Sequence, residues 1–368
     1  MVIDQDRLRA IVYGGALLGA GGGGSIAAGL AAGRDALALG APHIVPIHRL
    51  PADATLVTLS AVGTARGTSA GQIGPWHFAR ALELFAAYFG RRVDGLIASE
   101  VGPLAVTYGW RESIATGIPV VDAPCNGRAH PLFVMGSLGL HRTPLVHLPA
   151  VAVGGRRNSA EAVELSVCAN VVTAARIVRG EADRAAISLA VVRNPVPVRF
   201  ARKRAAVGAL QHALGIGLAI LDSLGGSFER HLAAIARASA GRTLGMGKIS
   251  TASLREQKGF TVGSIEVDCS SKGRFSVPVC NEYMLVVQDG RPAAAFPDVI
   301  ALIDRGSGLP LASGEAVAGR EVAILAVPQD RLILGAAMRD RTLLQPIERL
   351  LEIRFPPALA RSDAKVAA

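Results

Sequence analysis

The 368-residue chain is half hydrophobic and only 18% charged, a composition that buries a core and excludes a disordered or fibrous protein. At roughly 150 residues per domain, two domains are expected. The formal charge of +10 rests on arginine, with five lysines among the 39 basic residues, and aromatics are 4%. So few rings cannot form base-stacking platforms, and an anionic small molecule suits the charge better than nucleic acid.

No apolar run reaches the roughly 18 to 20 uncharged residues of a membrane span. The opening MVIDQDRLRA carries acids where a signal peptide is basic and then apolar. We therefore expect a cytoplasmic protein without membrane contact. The cysteines at 125, 168, 269 and 280 show no paired spacing, which argues against a disulfide framework or a four-thiolate zinc site.

Apolar residues at near-helical spacing (Leu8, Ile11, Val12, Leu18) predict a helix from Asp6 to Ala20, which runs into GAGGGGS at 19–25. Ser25 then caps a second helix, which Gly33 is expected to stop. No strand precedes the glycines and no Gly-Lys-Ser/Thr follows them, so they form neither a dinucleotide fingerprint nor a P-loop. The remaining readings are close packing or a backbone cradle for a carboxylate or phosphate, with Gly22 and Gly23 as candidate ligand contacts.

Short apolar runs (TLVTLSAV, VDGLIAS, IPVVDA) then alternate with helical stretches at about 75–90 and in RESIATG. This alternation predicts βαβ units. Ligands bind at the carboxyl ends of such strands, where Glu100 and Asp122 stand. A helix is expected through about Ile177, then the strand AAISLAVV and a long helix bearing Leu210, Leu214, Leu218 and Leu221. Beyond Gly259 the runs SIEVD, FSVPV, YMLVVQDG and EVAILAVP predict β-structure. We expect an α/β N-terminal domain with a mainly parallel sheet at 1–164, an α+β C-terminal domain rich in β-strands at 165–355, and a disordered tail at 356–368.

The segment VDAPCNGRAHP (121–131) gathers Asp122, Cys125, Arg128 and His130. Thiolate, imidazole and carboxylate together suit zinc, with Cys125, His130 and the distant His77 as candidate ligands and Glu100 or Asp122 moving the proton. Alternatively Cys125 is a nucleophile with His130 as its base. The two uses compete for one sulfur, and a buried inert cysteine beside a capping aspartate stays open as well. Asn281 and Glu282 are placed to hydrogen-bond a cyclic amide. The basic run Arg199, Arg202, Lys203, Arg204 and the strand-like His147 have solvation and packing as their simpler readings.

GALLGAGGGGS, SEVGPL, GIPVVDAPCNGRAHPLFVMGS, KGFTVGS, CNEYMLV, FPDVIALIDRGSGLPL and GREVAILAVP resemble, in the same order, the S-methyl thiohydantoin desulfurase family, over about residues 8–330. Asp122, Gly127, Arg128, Asn281 and Glu282 match its pattern. Family members carry an Asp-Gly-Met-Gly-Arg-Ala-Phe-Pro type of segment where this chain has Pro124 to Pro131, so Cys125 and His130 are departures. The resemblance implies hydrolysis of a 2-methylthio-imidazolone propionate to a hydantoin and methanethiol in ergothioneine-type catabolism. A zinc-bound hydroxide or a covalent Cys125 are the routes the residues raise. The alternatives are an amidohydrolase acting on the hydantoin ring and a non-catalytic binding protein for a small anionic ring compound. A homo-oligomer is expected.

Overall fold

The computed structural model describes residues 1–63, 73–90 and 92–356, and the tail expected from 356 on lies outside them after Pro356. In chain order, helices α1 (Gln5–Gly19) and α2 (Ile26–Leu37) precede strands β1 (Ile44–Val45) and β2 (Thr55–Val62). Helix α3 (Pro75–Phe89), strand β3 (Gly95–Ala98), helix α4 (Trp110–Thr116) and strands β4 (Val120–Val121), β5 (Leu148–Gly154) and β6 (Val163–Ala169) follow. Next come α5 (Val171–Ala185), β7 (Leu189–Pro197), α6 (Val198–Arg204), α7 (Ala209–Ser223) and α8 (Phe228–Ser239). The rest is β8 (Arg242–Gln257), β9 (Phe260–Cys269), β10 (Gly273–Cys280), β11 (Glu282–Tyr283), β12 (Leu285–Gln288), β13 (Arg291–Ala295), β14 (Val299–Asp304), β15 (Glu321–Val327) and α9 (Gln345–Leu351).

The first sheet has the order β1-β4-β3-β2-β7-β5-β6. It is parallel from β1 to β2 and antiparallel from β2 to β6, so it is mixed rather than mainly parallel. β7 comes from the part of the chain expected to form the second domain, and the expected boundary at 164/165 falls inside β6. Apolar side chains at Val163, Leu165 and Val167 alternate with more exposed neighbours in β6, the period of two of a strand, where a helix was expected. The second sheet, β13-β12-β10-β9-β8-β15-β14 with β11 beside β10, is antiparallel throughout, as the β-rich reading anticipated. Its long β8 was not read from the sequence, because both of its faces are half exposed and carry no clean alternation.

The two halves interlock through α1, which packs with α7, α8, β14 and β15 into one apolar core around Leu17, Leu18, Leu210, Ile220, Ile303 and Leu325. The α1–α7 crossing is close enough to exclude side chains: a Cβ at Gly217 would lie 1.6 Å from Ala10 O, and one at Gly14 1.8 Å from Ala213 O. Helix α2 continues through Gly33, which lies against Leu8; the glycine serves packing and is not a stop. Caps follow the residue chemistry: Asp4, Ser25, Asn170 and Ser227 each accept a backbone N–H from the first turn of their helix. α7 begins at Gly208 without a side-chain cap of its own. Asp122 reaches across from the end of β4 and accepts N–H bonds from Leu210 at 2.8 Å and Gln211 at 3.2 Å. Among the described residues no single helix is long and apolar enough to cross a membrane.

Gly217→Ala is expected to force α1 and α7 apart and lower unfolding stability by about 1–3 kcal/mol, and Asp122→Ala by about 1–2 kcal/mol as a lost cap. Denaturant melts measure both. An unchanged midpoint for either variant contradicts the corresponding role.

Candidate active site

Glu100 stands just beyond the carboxyl end of β3, as the strand pattern anticipated. Its Oε2 accepts the backbone N–H of His130 at 3.1 Å. The His130 ring lies over the same carboxyl, with Nε2 3.6 Å from Oε2 and donating to Ser99 O at 3.3 Å. Burial pushes the Glu100 carboxyl up to about 7, against the pull of the His130 N–H, Arg193 and Arg128. Burial and then the neighbouring Arg193 push the His130 imidazole down to about 3. The ring is therefore neutral at physiological pH, and the proton that moves near pH 7 belongs to Glu100. A carboxyl whose folded pKa is raised stabilises the fold most on the acid side, and that contribution declines as pH rises from the usual 4.5 through about 7.

Two guanidinium groups, each fully buried, flank this carboxyl. Arg128 lies 4.4 Å from the Phe296 ring centroid and donates from Nε to Ala129 O at 2.8 Å and from Nη1 to Pro297 O at 3.1 Å and to Asp298 O. Arg193, in the middle of β7, donates from Nε to Ser60 Oγ at 3.1 Å and from Nη1 to Phe133 O at 2.9 Å. Burial lowers both to about 10, and nearby acids hold them up; they stay cationic at neutral pH. Arg193 escaped the sequence reading. The signal was a charged residue directly after the apolar run AAISLAVV, where only a functional or paired charge is tolerated.

The second half of the chain supplies Glu282. Asn281 adopts a left-handed conformation with φ 59, tolerated by asparagine more readily than by most residues, and turns the chain from β10 into β11. Its Oδ1 accepts Thr261 N–H at 2.9 Å, so Asn281 sets the turn while Glu282 points inward, 2% exposed. The glycine loop meets it there: a Cβ at Gly22 would fall 2.1 Å from Glu282 Oε1. On the loop's other side, a Cβ at Gly23 would fall 2.6 Å from Gly102 Cα, two residues beyond Glu100. Gly22, Glu282, Glu100 and Arg128 thus belong to one place, and burial with the neighbouring Glu100 holds the Glu282 carboxyl well above its usual range. Of six buried side-chain polar atoms without a partner among the described residues, three belong to these side chains: Arg128 Nη2, His130 Nδ1 and Glu282 Oε2. Such a concentration marks a place where a ligand completes the hydrogen bonding.

The proposed zinc set does not assemble. His77 spends Nδ1 on Gly74 N–H at 2.7 Å and Nε2 on Gly155 O at 2.8 Å, and His130 faces Ser99 and Glu100. Cys125 Sγ lies 3.4 Å from Thr58 Oγ1. Among the described residues no three His, Cys, Asp or Glu side chains converge as a metal site. Nor are Cys125 and His130 a nucleophile and its base, because the His130 ring is directed to Ser99 O and Cys125 Sγ to Thr58 Oγ1, with no hydrogen bond between them. Burial pushes the Cys125 thiol up to about 11 despite the pull of Arg193 and Thr58, so it stays a protonated, 1% exposed thiol. Asp122 is engaged as the α7 cap. His147, Arg202, Lys203 and Arg204 lie at the surface.

A cavity of about 270 Å³ is lined by Met135, Phe296, Pro297, Met338, Asp340 and Leu344, among others. Phe296 and Pro297 also cradle Arg128. Asp340 is already held by His141, Arg142 and Thr342, and the unpartnered buried atoms of Arg128 and Glu282 do not line this cavity.

Residues 6–162 match the model of the S-Me-THD-like N-terminal domain and residues 169–338 that of the S-Me-THD-like C-terminal domain. A crystal structure of a protein from Chromobacterium violaceum shares the fold with a TM-score of 0.70 at 20% identity, over 95% of this chain and 96% of that one. No curated protein matches. With both of its domain models matched in order along the chain, the protein belongs to the S-methyl thiohydantoin desulfurase-like family.

Proposed function

We propose that the protein hydrolyses an S-methyl thiohydantoin, a 2-methylthio-imidazolone with a carboxylate arm, to a hydantoin and methanethiol. The observation that carries this reading is the pairing of Glu100, poised near 7, with the buried Glu282 and Arg128 at the glycine loop, in a chain of this family. Water adds across the C=N bond, its oxygen to the carbon bearing sulfur and a proton to the ring nitrogen. The C–S bond then breaks and the proton of the new hydroxyl passes to sulfur. One water is consumed and nothing is oxidised or reduced. Glu100 in its ionised form takes the first proton from water and passes it to the ring nitrogen, then takes the proton of the new hydroxyl and passes it to the departing sulfur, and Arg128 steadies the negative charge that develops on the ring.

The substrate arm fits the glycine loop. The backbone N–H groups of Gly23, Gly24 and Ser25 have no backbone or side-chain acceptor among the described residues, and they precede the N-terminus of α2, where an anion is favoured. Cys125 has no role in this chemistry, and no step runs through zinc.

Synthetic substrate carrying a propionate arm is expected to yield methanethiol and intact hydantoin. A ring-opened product instead supports an amidohydrolase, and saturable binding without turnover a binding protein. Because Glu100 acts ionised, kcat/KM is expected to rise with pH through about 7; Glu100→Gln should lose at least ~100-fold and with it this limb of the profile. Cys125→Ser is expected to keep turnover within about tenfold, since the loss of a functioning nucleophile costs far more. A substrate-sized adduct on Cys125 by mass spectrometry contradicts the proposed route.

A further inference from the structure

Glu282 is an unusual acid in that its fully buried Oε2 meets no donor among the described residues, and its own backbone N–H supports the carboxyl. An ionised carboxylate in that position would lose its hydration and leave Oε2 with nothing in exchange. The nearby cations do not supply the missing bonds. Arg128 directs Nε and Nη1 to the carbonyls of Ala129, Pro297 and Asp298. Arg179, stacked 4.2 Å from the Phe260 ring centroid, directs its Nη atoms to Gly259 O and Pro131 O. The direction of the Glu282 pKa agrees, since burial and the adjacent Glu100 both favour the protonated form. A protonated carboxyl offers one O–H donor beside one C=O acceptor, and Arg128 Nη2 is a further donor without a partner.

This inference deepens the reading of the same site and takes the ring chemistry from it. We propose that Glu282 reads the substrate ring as a neutral carboxylic acid, accepting a ring N–H and donating to the adjacent ring carbonyl, with Arg128 Nη2 completing that carbonyl. The class selected is a cyclic amide with an unsubstituted N–H beside C=O. Gly22 is part of the device, because any side chain there would occupy the place of Oε1.

Calorimetric titration of the full-length protein with hydantoin and with 1,3-dimethylhydantoin tests this without turnover. Hydantoin is expected to bind saturably. The dimethyl compound, which leaves buried groups unpaired, is expected to bind roughly 10- to 100-fold more weakly. Glu282→Gln, an isosteric neutral amide with the same donor and acceptor pair, should hold hydantoin within about tenfold, and Glu282→Leu should weaken it by roughly 10- to 100-fold. Equal affinity for the two rings, no saturable hydantoin binding by the wild-type protein, or a Glu282→Gln variant as weak as Glu282→Leu each overturns the proposal. The ring comparison on wild-type protein decides it even where a variant misfolds. Hydantoin binding that follows the expected pattern in a protein releasing no methanethiol sinks the desulfuration reading alone. Methanethiol release by a protein whose hydantoin affinity ignores Glu282→Leu sinks this proposal alone.

Discussion

Burying Glu100 next to two guanidinium groups is the constraint from which the rest of the site follows. Removing charges from water costs several kcal/mol each unless they are paired or hydrogen-bonded, and the protein meets that cost with backbone. The carbonyls of Phe133, Ala129, Pro297 and Asp298 accept from the two arginines, and the His130 N–H supports Glu100. The compensation is incomplete for Glu100, whose carboxyl stays near 7. A proton carrier at neutral pH is the product of that incomplete balance.

The parts come from distant stretches of the chain, so the site is only as well defined as the packing between them. Glu100 ends a parallel strand of the first sheet, Glu282 sits on the hairpin leaving β10 of the second, and the glycine loop lies between them. Tyr283 N–H donates to Ala20 O at 2.7 Å, and Gly23 O accepts from Leu104 N–H at 3.0 Å. One loop therefore bonds to both halves of the molecule. The α1–α7 crossing fixes the helix that ends in that loop, which links helix packing remote from the chemistry to the geometry of the two carboxyls.

Much of this was legible in the sequence. Alternating strand and helix patterns placed Glu100 at a strand end, and Asn281 and Glu282 were read together as contacts to a cyclic amide, whereas the Asn281 side chain is taken by Thr261 N–H and Glu282 alone turns inward. What could not be read was direction. Asp122, Cys125, Arg128 and His130 share one short segment, yet each side chain leaves it differently: to the α7 N-terminus, to Thr58, to the 297–298 carbonyls and to Glu100. Proximity along a non-helical loop says nothing about convergence, and so the zinc set and the cysteine–histidine pair failed. Arg193 was missed because the expected strand ended one residue before it. The mixed character of the first sheet was hidden because β7 is supplied from beyond the expected boundary.

The most direct test of the account is turnover of the propionate-bearing S-methyl thiohydantoin in heavy-oxygen water, with the ring product weighed. Attack by water on the sulfur-bearing carbon requires one heavy oxygen in an intact hydantoin, together with methanethiol, and loss of both in Glu100→Gln. A ring-opened product that keeps its methylthio group contradicts the account, because the water would then have been directed at a different carbon.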